Sequence, residues 1–370
     1  DCGPLAGRPA MTKGTTLAPS PRDNPVLRGH QQSESVLIKA ANSGRLAHAW
    51  LLAGPRGIGK STLAYRFARY LLSRVDDGGL FGDAAAADMA MDPDNPVFRR
   101  VASGGHPDLF TLARSVNPKT DKLRNEIVIG DVRAAIDFVR LTSGEGGWRV
   151  VIVDTADDMN PSSANAILKL LEEPPGAAII LLVSHAPGQL LATIRSRCRV
   201  LPMPPLDAEC VRELLVEYRP ELSPADIQTL ASLADGSIGD ALAFADAGGL
   251  TLYHEMIGLL AGLKSLDIAA VHALGDRLGR ANATEAYKTF TRLLEDWLSR
   301  LARTMARGAV PAENATGENA AIAAFGGRLA QTSEVWEKVS RLFAQAERAN
   351  LDHKQVVINA FLTMQTAVQS

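Results

Sequence analysis

Cysteine is scarce in this sequence. Three cysteines occur in 370 residues, at positions Cys2, Cys198 and Cys210, and no two of them have the C-x-x-C spacing. Such a pattern argues against a disulfide framework and against a cysteine-based zinc site. It is typical of a protein that folds in a reducing compartment, and we therefore expect a cytoplasmic location.

The chain also lacks a marked charge of either sign. Lysine and arginine number 39 against 41 aspartates and glutamates, which gives a net charge of −2 and a pI of about 6.4. Strong binding to nucleic acid by this chain alone is therefore not expected, because such binding needs a basic surface. Any contact with DNA would be local or would depend on partner proteins.

Long apolar runs are absent as well. The longest one, residues 177–183, is much shorter than the roughly 20 apolar residues that span a bilayer, so no membrane association is expected. Residues 1–22 are rich in Pro, Gly and Thr without a signal-peptide core, and they are interpreted as a disordered leader. The length of the chain favours two or three domains.

The clearest motif that is present lies at residues 54–61, which match G-x-x-x-x-G-K-[ST] without a mismatch. An apolar run of strand length precedes it and an apolar pattern of helical spacing follows, so the motif predicts a phosphate-binding loop at a strand-to-helix turn. Lys60 would reach the terminal phosphates and Ser61 would offer its hydroxyl to magnesium. The predicted nucleotide-binding residues of the loop are Gly54, Pro55, Gly57, Ile58, Gly59, Lys60 and Ser61.

A second candidate site residue follows a run of β-branched residues. Residues 150–153 read Val-Val-Ile-Val, and Asp154 comes next. This pattern predicts a buried parallel strand that delivers a carboxylate at its C-terminal end. With a phosphate loop upstream, Asp154 and Ser61 are the predicted magnesium ligands. An aspartate that only caps a turn is the alternative.

The order of apolar segments predicts an α/β domain followed by helices. Short apolar strands separated by helices favour an open, five-stranded, mostly parallel sheet with helices on both faces, and they lie at residues 49–53, 109–113, 149–154, 178–184 and 199–203. The expected divisions are a leader at 1–22, a P-loop domain at 23–205, a small helical lid at 206–248 and an all-helical collar at 249–370. Residues 76–95 are predicted to be an inserted, mobile or short-helical segment, and 115–125 a solvated loop.

Four features together resemble the clamp-loader branch of the AAA+ ATPases. They are the phosphate loop, the strand that ends at Asp154, the stretch S-A-N-A-I-L-K-L-L-E-E-P-P at residues 163–175, and the triplet Ser196-Arg197-Cys198. The resemblance covers residues 25–245 by motif and the remainder by domain order.

This resemblance implies a function and a set of partners. The family forms pentameric machines that bind ATP with magnesium, open a ring-shaped sliding clamp and place it on primed DNA. Partners of the gamma/tau and delta types are implied, together with the clamp and the DNA. The resemblance also implies that Arg197 is an arginine finger for the ATP site of a neighbouring subunit and that Ser184 occupies the sensor-1 position.

Two departures from the family pattern suggest a subunit that is not a motor. Active members carry Asp-Glu where this chain has Asp154-Thr155, and a hydroxyl cannot replace that glutamate as a general base at neutral pH. Active members also carry a sensor-2 arginine at the position of Gly239. We therefore expect weak or absent ATP turnover with the finger retained. Relatives with a four-cysteine zinc module place it where residues 73–106 have no cysteine, so no zinc is expected.

Several alternatives stay open at this stage. A motor subunit of the same complex would need Asp157 or Asp158 as the base, although a solvated turn is the preferred interpretation for both. Arg195 is a rival for the role of the finger. A stand-alone nucleotide switch or small-molecule kinase is a third possibility, but no further substrate-binding motif supports it.

Overall fold

The computed structural model describes residues 18–74, 88–145, 147–174, 176–307, 313, 316–326, 329–349 and 351–369. The chain divides into two compact units: the first runs to Arg219 and includes Gly236–Gly239, and the second contains Pro220–Asp235 and the residues from Asp240 onward. The predicted boundaries at 205 and 248 stay predictions. The expectations for residues 1–17 and 76–87 lie outside the described residues.

A parallel five-stranded sheet forms the centre of the first unit. Its strands lie in the order β2-β5-β6-β1-β7, and every neighbouring pair is parallel. A separate antiparallel pair is formed by β3 and β4. The strand bounds are β1 Ala49–Ala53, β2 Leu109–Leu112, β3 Val116–Asn117, β4 Lys122–Leu123, β5 Arg149–Val153, β6 Ala178–Ser184 and β7 Arg199–Pro202.

Helices make up the rest of the regular structure. The bounds in the described residues are α1 Gln31–Asn42, α2 Lys60–Leu72, α3 Pro96–Ala102, α4 Ile129–Arg140, α5 Pro161–Glu172, α6 Ala192–Arg195, α7 Ala208–Tyr218, α8 Pro224–Leu233, α9 Ile238–Asp246, α10 Gly249–Ala261, α11 Ile268–Leu278, α12 Thr284–Arg307, α13 Glu318–Ala324, α14 Leu329–Ala349 and α15 His353–Gln369.

The sheet is covered on both faces. Alternate residues of one strand belong to different apolar clusters: Trp50 and Leu52 pack with α1 and α2, whereas Leu51 packs with α4 and α5. Strands β5 and β6 are buried along their whole length, as expected for parallel strands that lie between two helical layers. The predicted α/β fold, with a five-stranded parallel sheet and helices on both faces, is confirmed.

All the regular secondary structure in the described residues of the second unit is helical. A buried polar contact fixes α10, α12 and α13, because the Tyr253 hydroxyl donates to Glu318 Oε1 at 2.9 Å and Arg300 pairs with the same carboxylate. Glu318 is only 1% exposed, so this pairing supplies the partner that a buried charge requires. The prediction of helices alone after residue 250 is confirmed for the described part of the chain.

The sequence-based prediction was wrong in two short regions. Residues 115–125 were expected to be an irregular solvated loop, but they contain the β3–β4 hairpin, in which Val116 pairs with Leu123. Helix α3 was not predicted; it begins after Asn95, whose side chain accepts from Val97 N at 2.8 Å. None of the helices in the described ranges is both long and apolar enough to cross a membrane.

Candidate functional site: a phosphate loop and an exposed arginine

The predicted phosphate loop joins β1 to α2. Strand β1 ends at Ala53, helix α2 begins at Lys60, and the Gly54 N–H donates to Ser184 O at 3.3 Å. Gly57 and Gly59 have φ angles of 74° and 105°, in the region that favours glycine. The loop therefore lies at the carboxyl edge of the sheet and at the N-terminus of a helix, the position at which anions bind in P-loop proteins.

Lys60 organises the interior of the loop. Its side chain is 3% exposed, and its ammonium group donates to the carbonyls of Gly54, at 2.7 Å, and Pro55. His30 holds the other side of the loop, since its Nε2 lies 2.8 Å from Ile58 O. Burial lowers the pKa of His30 and nearby Lys60 acts in the same direction, so we assign a neutral ring that donates Nε2–H to this carbonyl.

Ser61 and Asp154 are brought together as predicted. The Ser61 hydroxyl donates to Asp154 Oδ1 at 2.8 Å. Asp154 follows β5, and Ser61 lies in the first turn of α2. A hydroxyl and a carboxylate are oxygen donors of the kind that Mg²⁺ prefers, so the residues present fit a magnesium ion bound together with a nucleoside triphosphate.

Asp157 lies in a short turn at Ala156–Asp158, as expected, but protein groups and not solvent alone bind its side chain. Its carboxylate accepts three hydrogen bonds: from Ser184 Oγ at 2.8 Å, His185 N at 2.6 Å and Ala186 N at 3.2 Å. Ser184, the predicted sensor-1 residue, is fully buried, so its hydroxyl is directed at Asp157. The carboxylate therefore fixes the end of β6 beside the phosphate loop.

Asp158 is also held by the protein and not by solvent alone. It forms an ion pair with Arg114, whose Nε lies 3.2 Å from Asp158 Oδ2. Burial raises the pKa of Asp158, and the charge of Arg114 offsets part of that rise. Arg114 follows β2 at the carboxyl edge of the sheet. Sequence reasoning did not single it out, because it lies between the predicted strand at 109–113 and the predicted loop at 115–125.

Gly239 lies directly against the phosphate loop. Its N–H donates to Gly57 O at 2.9 Å. A Cβ atom at position 239 would lie 2.7 Å from Gly57 Cα, closer than real Cβ contacts allow. Gly239 is thus a residue that no side chain can replace without moving the loop.

Arg197 lies elsewhere in the first unit, in the turn between α6 and β7. Its Nη2 pairs with Glu172 Oε1 at 2.7 Å, its Nη1 donates to Thr193 O at 3.0 Å, and its side chain is 35% exposed. The next residue, Cys198, is buried, and burial raises its pKa to about 12. The thiol is therefore a packing group beside the arginine, as expected from its lack of an activating base.

The histidines form no metal site in the part of the chain that is described. No group of three or more His, Cys, Asp and Glu residues is placed to hold a metal ion there. His48 Nε2 contacts Leu171 O at 3.0 Å, and His106 Nδ1 accepts from Asp108 N at 3.2 Å. The expectation that no zinc is bound stays a prediction.

The parallel sheet, the phosphate loop and the Ser61–Asp154 pair are the features of a P-loop α/β domain. Residues 29–207 match the family described as "DNA polymerase III, delta subunit". The chain is 37% identical over 192 residues to DNA polymerase III subunit delta′ of Pseudomonas aeruginosa. The aligned region is 52% of this chain and 53% of that protein. Subunit delta′ of Escherichia coli is 32% identical over 208 residues, 56% of this chain and 57% of that protein.

The matched region is therefore similar to delta′ subunits of DNA polymerase III. The chain spans about half the length of the delta′ relatives that it matches. Subunit tau of Salmonella typhimurium is also similar, 31% identical over 220 residues, 58% of this chain and 31% of that protein. A gamma subunit-related protein of Thermotoga maritima is 17% identical with a TM-score of 0.41, and the match covers 91% of this chain and 100% of that chain.

Proposed function

We propose that this chain is a non-motor clamp-loader subunit of the delta′ type in a DNA polymerase III holoenzyme. It would act in the cytoplasm within a hetero-pentamer that contains gamma/tau and delta subunits and loads a sliding clamp onto primed DNA. Arg197 would enter the ATP site of the neighbouring subunit. The observation that carries the proposal is an asymmetry: Arg197 is partly exposed on a turn, whereas the chain's own site has Thr155 and Gly239 in place of hydrolytic groups.

The chain's own loop retains the groups that hold a nucleotide. Lys60 would bind the terminal phosphates, the loop N–H groups would surround them, and Ser61 with Asp154 would hold magnesium. Magnesium, when bound, neutralises charge on the phosphates. ATP binding without efficient turnover is therefore the expected behaviour.

Proton acceptance is the step for which this site is poorly equipped. The Thr155 hydroxyl cannot accept a proton from the attacking water at neutral pH. The Asp157 carboxylate is already engaged by the protein, because its oxygens accept three hydrogen bonds from Ser184, His185 and Ala186.

A finger supplied to a neighbour has a large effect in P-loop enzymes. It contributes roughly 10³–10⁵ in rate, which equals about 4–7 kcal/mol of transition-state stabilisation at about 1.36 kcal/mol per factor of ten. A chain without hydrolytic activity of its own can thus be essential for hydrolysis by the complex.

A motor subunit is the second candidate, and one observation favours it. Asp158 is half-buried and its pKa is raised, a change that makes a carboxylate a stronger base. In that case the Arg114–Asp158 ion pair would belong to the hydrolytic site.

Steady-state ATP hydrolysis by the isolated chain separates the two candidates. We expect turnover near background, unchanged in Asp158→Asn, and a rise only when the motor subunit is added. A nucleotide titration with Lys60→Ala as the non-binding control reports on the loop independently. Brisk hydrolysis by the chain alone, lost in both Lys60→Ala and Asp158→Asn, would establish the motor function instead.

A further inference from the structure

We propose that Glu172 is the positioning residue for Arg197, so that the finger is oriented before it meets the neighbouring nucleotide. This inference rests on the proposed function of Arg197. Glu172 is the last residue of α5, and its Oε1 lies 2.7 Å from Arg197 Nη2. Nothing in the chemistry of the phosphate loop requires this carboxylate.

Two contacts on different nitrogens fix the guanidinium group. Glu172 binds Nη2, and the carbonyl of Thr193 accepts from Nη1 at 3.0 Å. Because the Arg197 guanidinium is planar and is held at two of its nitrogens, rotation about the bonds of its long side chain is restricted. Since a guanidinium has five N–H donors, the remaining donors stay available for phosphate oxygens.

The two partners of Arg197 belong to anchored helices. Helix α5 is capped by Asn160, which accepts from Ser163 N at 2.9 Å, and the Ser163 hydroxyl donates to Ile127 O at 2.8 Å. Ile167 of α5 and Ile194 of α6 are fully buried in the same apolar cluster beneath the sheet. The carboxylate and the carbonyl that hold Arg197 are therefore fixed relative to each other.

Stability of the fold does not explain this ion pair. The side chains are 35% and 47% exposed, and exposed pairs contribute little to folding because solvent screens them. The ion pair can still affect the reaction rate. If the Arg197 guanidinium is already oriented before the reaction, no entropy has to be lost to order it in the transition state. Glu172 should thus affect turnover more than stability.

Glu173 provides a matched control. It is the next residue, it is exposed and it carries the same charge, so Glu173→Ala changes the local charge equally without removing the contact with Arg197. Glu172→Gln is the conservative variant, since its amide oxygen can still accept from Arg197 but carries no charge.

The experiment measures ATP turnover by the complete clamp loader assembled with each variant. We expect Glu172→Ala to lower kcat by about three- to tenfold with KM unchanged, as for a group that acts in the transition state. Glu172→Gln should restore part of the loss, and Glu173→Ala should match the unmodified complex. Glu172→Ala combined with Arg197→Ala should be no slower than Arg197→Ala alone. Thermal unfolding of each variant should be unchanged.

The outcomes separate this inference from the proposed function. If Arg197→Ala slows turnover but Glu172→Ala behaves like Glu173→Ala, the positioning role is wrong and the finger stands. If Arg197→Ala has no effect, the proposed function itself fails. Faster turnover with Glu172→Ala would also overturn the positioning role, because the carboxylate would then be keeping Arg197 away from the neighbouring site. A change confined to KM would overturn it as well, because Glu172 would then affect nucleotide binding only.

Discussion

The contact between Gly239 and Gly57 predicts that Gly239→Ala destabilises the first unit. The new Cβ would lie 2.7 Å from Gly57 Cα and 3.3 Å from Gly57 O. Both are backbone atoms, so no side-chain rotation relieves the clash. Overpacking of this kind costs about 1–3 kcal/mol, against a gain of about 0.5–1 kcal/mol for replacing glycine by alanine in a helix. We expect a net loss of roughly 1–2 kcal/mol.

Gly130→Ala is a closely matched control. Gly130 and Gly239 are each the second residue of a helix, each within the tripeptide Ile-Gly-Asp. A Cβ at position 130 would meet nothing within 4 Å, so this substitution should be neutral or stabilising. Hydrogen exchange of peptides from β1 and α2 under native conditions measures the free energy of opening in the first unit. Equal protection of the two variants would refute the close contact.

The same contact also predicts the effect of introducing an arginine at position 239. Arginine at position 239 places its Cβ in the same space, so Gly239→Arg should lose stability and should not tighten ATP binding. A nucleotide titration of Gly239→Arg beside the unmodified chain tests this. Tighter binding without loss of protection would show that the loop can separate from Gly239 at little cost.

Two further predictions concern buried titratable groups. Burial raises the pKa of Cys198 to about 12, so roughly one Cys198 thiol in 30,000 is ionised at pH 7.5. A Cys2→Ser variant should therefore react with thiol reagents only when it unfolds. Rapid labelling of the folded variant would contradict this prediction. Burial also raises the pKa of Glu295 above 4.5, despite a hydrogen bond from Ser340. The folded state therefore binds the proton of Glu295 more tightly than the unfolded state does. As a result, the stability of the protein falls as the pH rises from the unfolded to the folded pKa of this group. The Glu295→Gln variant should therefore gain stability relative to the native chain across that pH range and keep the gain at neutral pH, as measured by urea unfolding. A gain in stability that appears only in acid would contradict the raised pKa of Glu295.

The elements that sequence reasoning predicted well have strong local signals. Parallel strands buried on both faces are apolar at nearly every position, which is why the runs that form β5 and β6 were clear. The glycines and Lys60 identify the phosphate loop in the sequence, because its backbone turns require glycine and the charge of a phosphate requires a cation. Short elements with little apolar periodicity, α3 and the β3–β4 pair, gave no comparable signal.

The contacts around the site needed the structure. Asp157 meets Ser184, and Gly239 meets Gly57, only because the sheet brings distant segments to one edge. The pairing of Arg197 with Glu172 likewise depends on the packing of α5 against α6. No sequence spacing encodes these contacts, since each joins different secondary elements whose approach is set by the core.

The most direct test of the central claim is ATP hydrolysis by a clamp loader assembled with Arg197→Ala, beside one assembled with Arg195→Ala. Both variants are expected to assemble normally. Hydrolysis at the neighbouring site should fall by roughly 10³–10⁵ for Arg197→Ala and should be unchanged for Arg195→Ala. Normal turnover with Arg197→Ala, or failure of that variant to assemble, would contradict the claim that this chain completes its neighbour's active site.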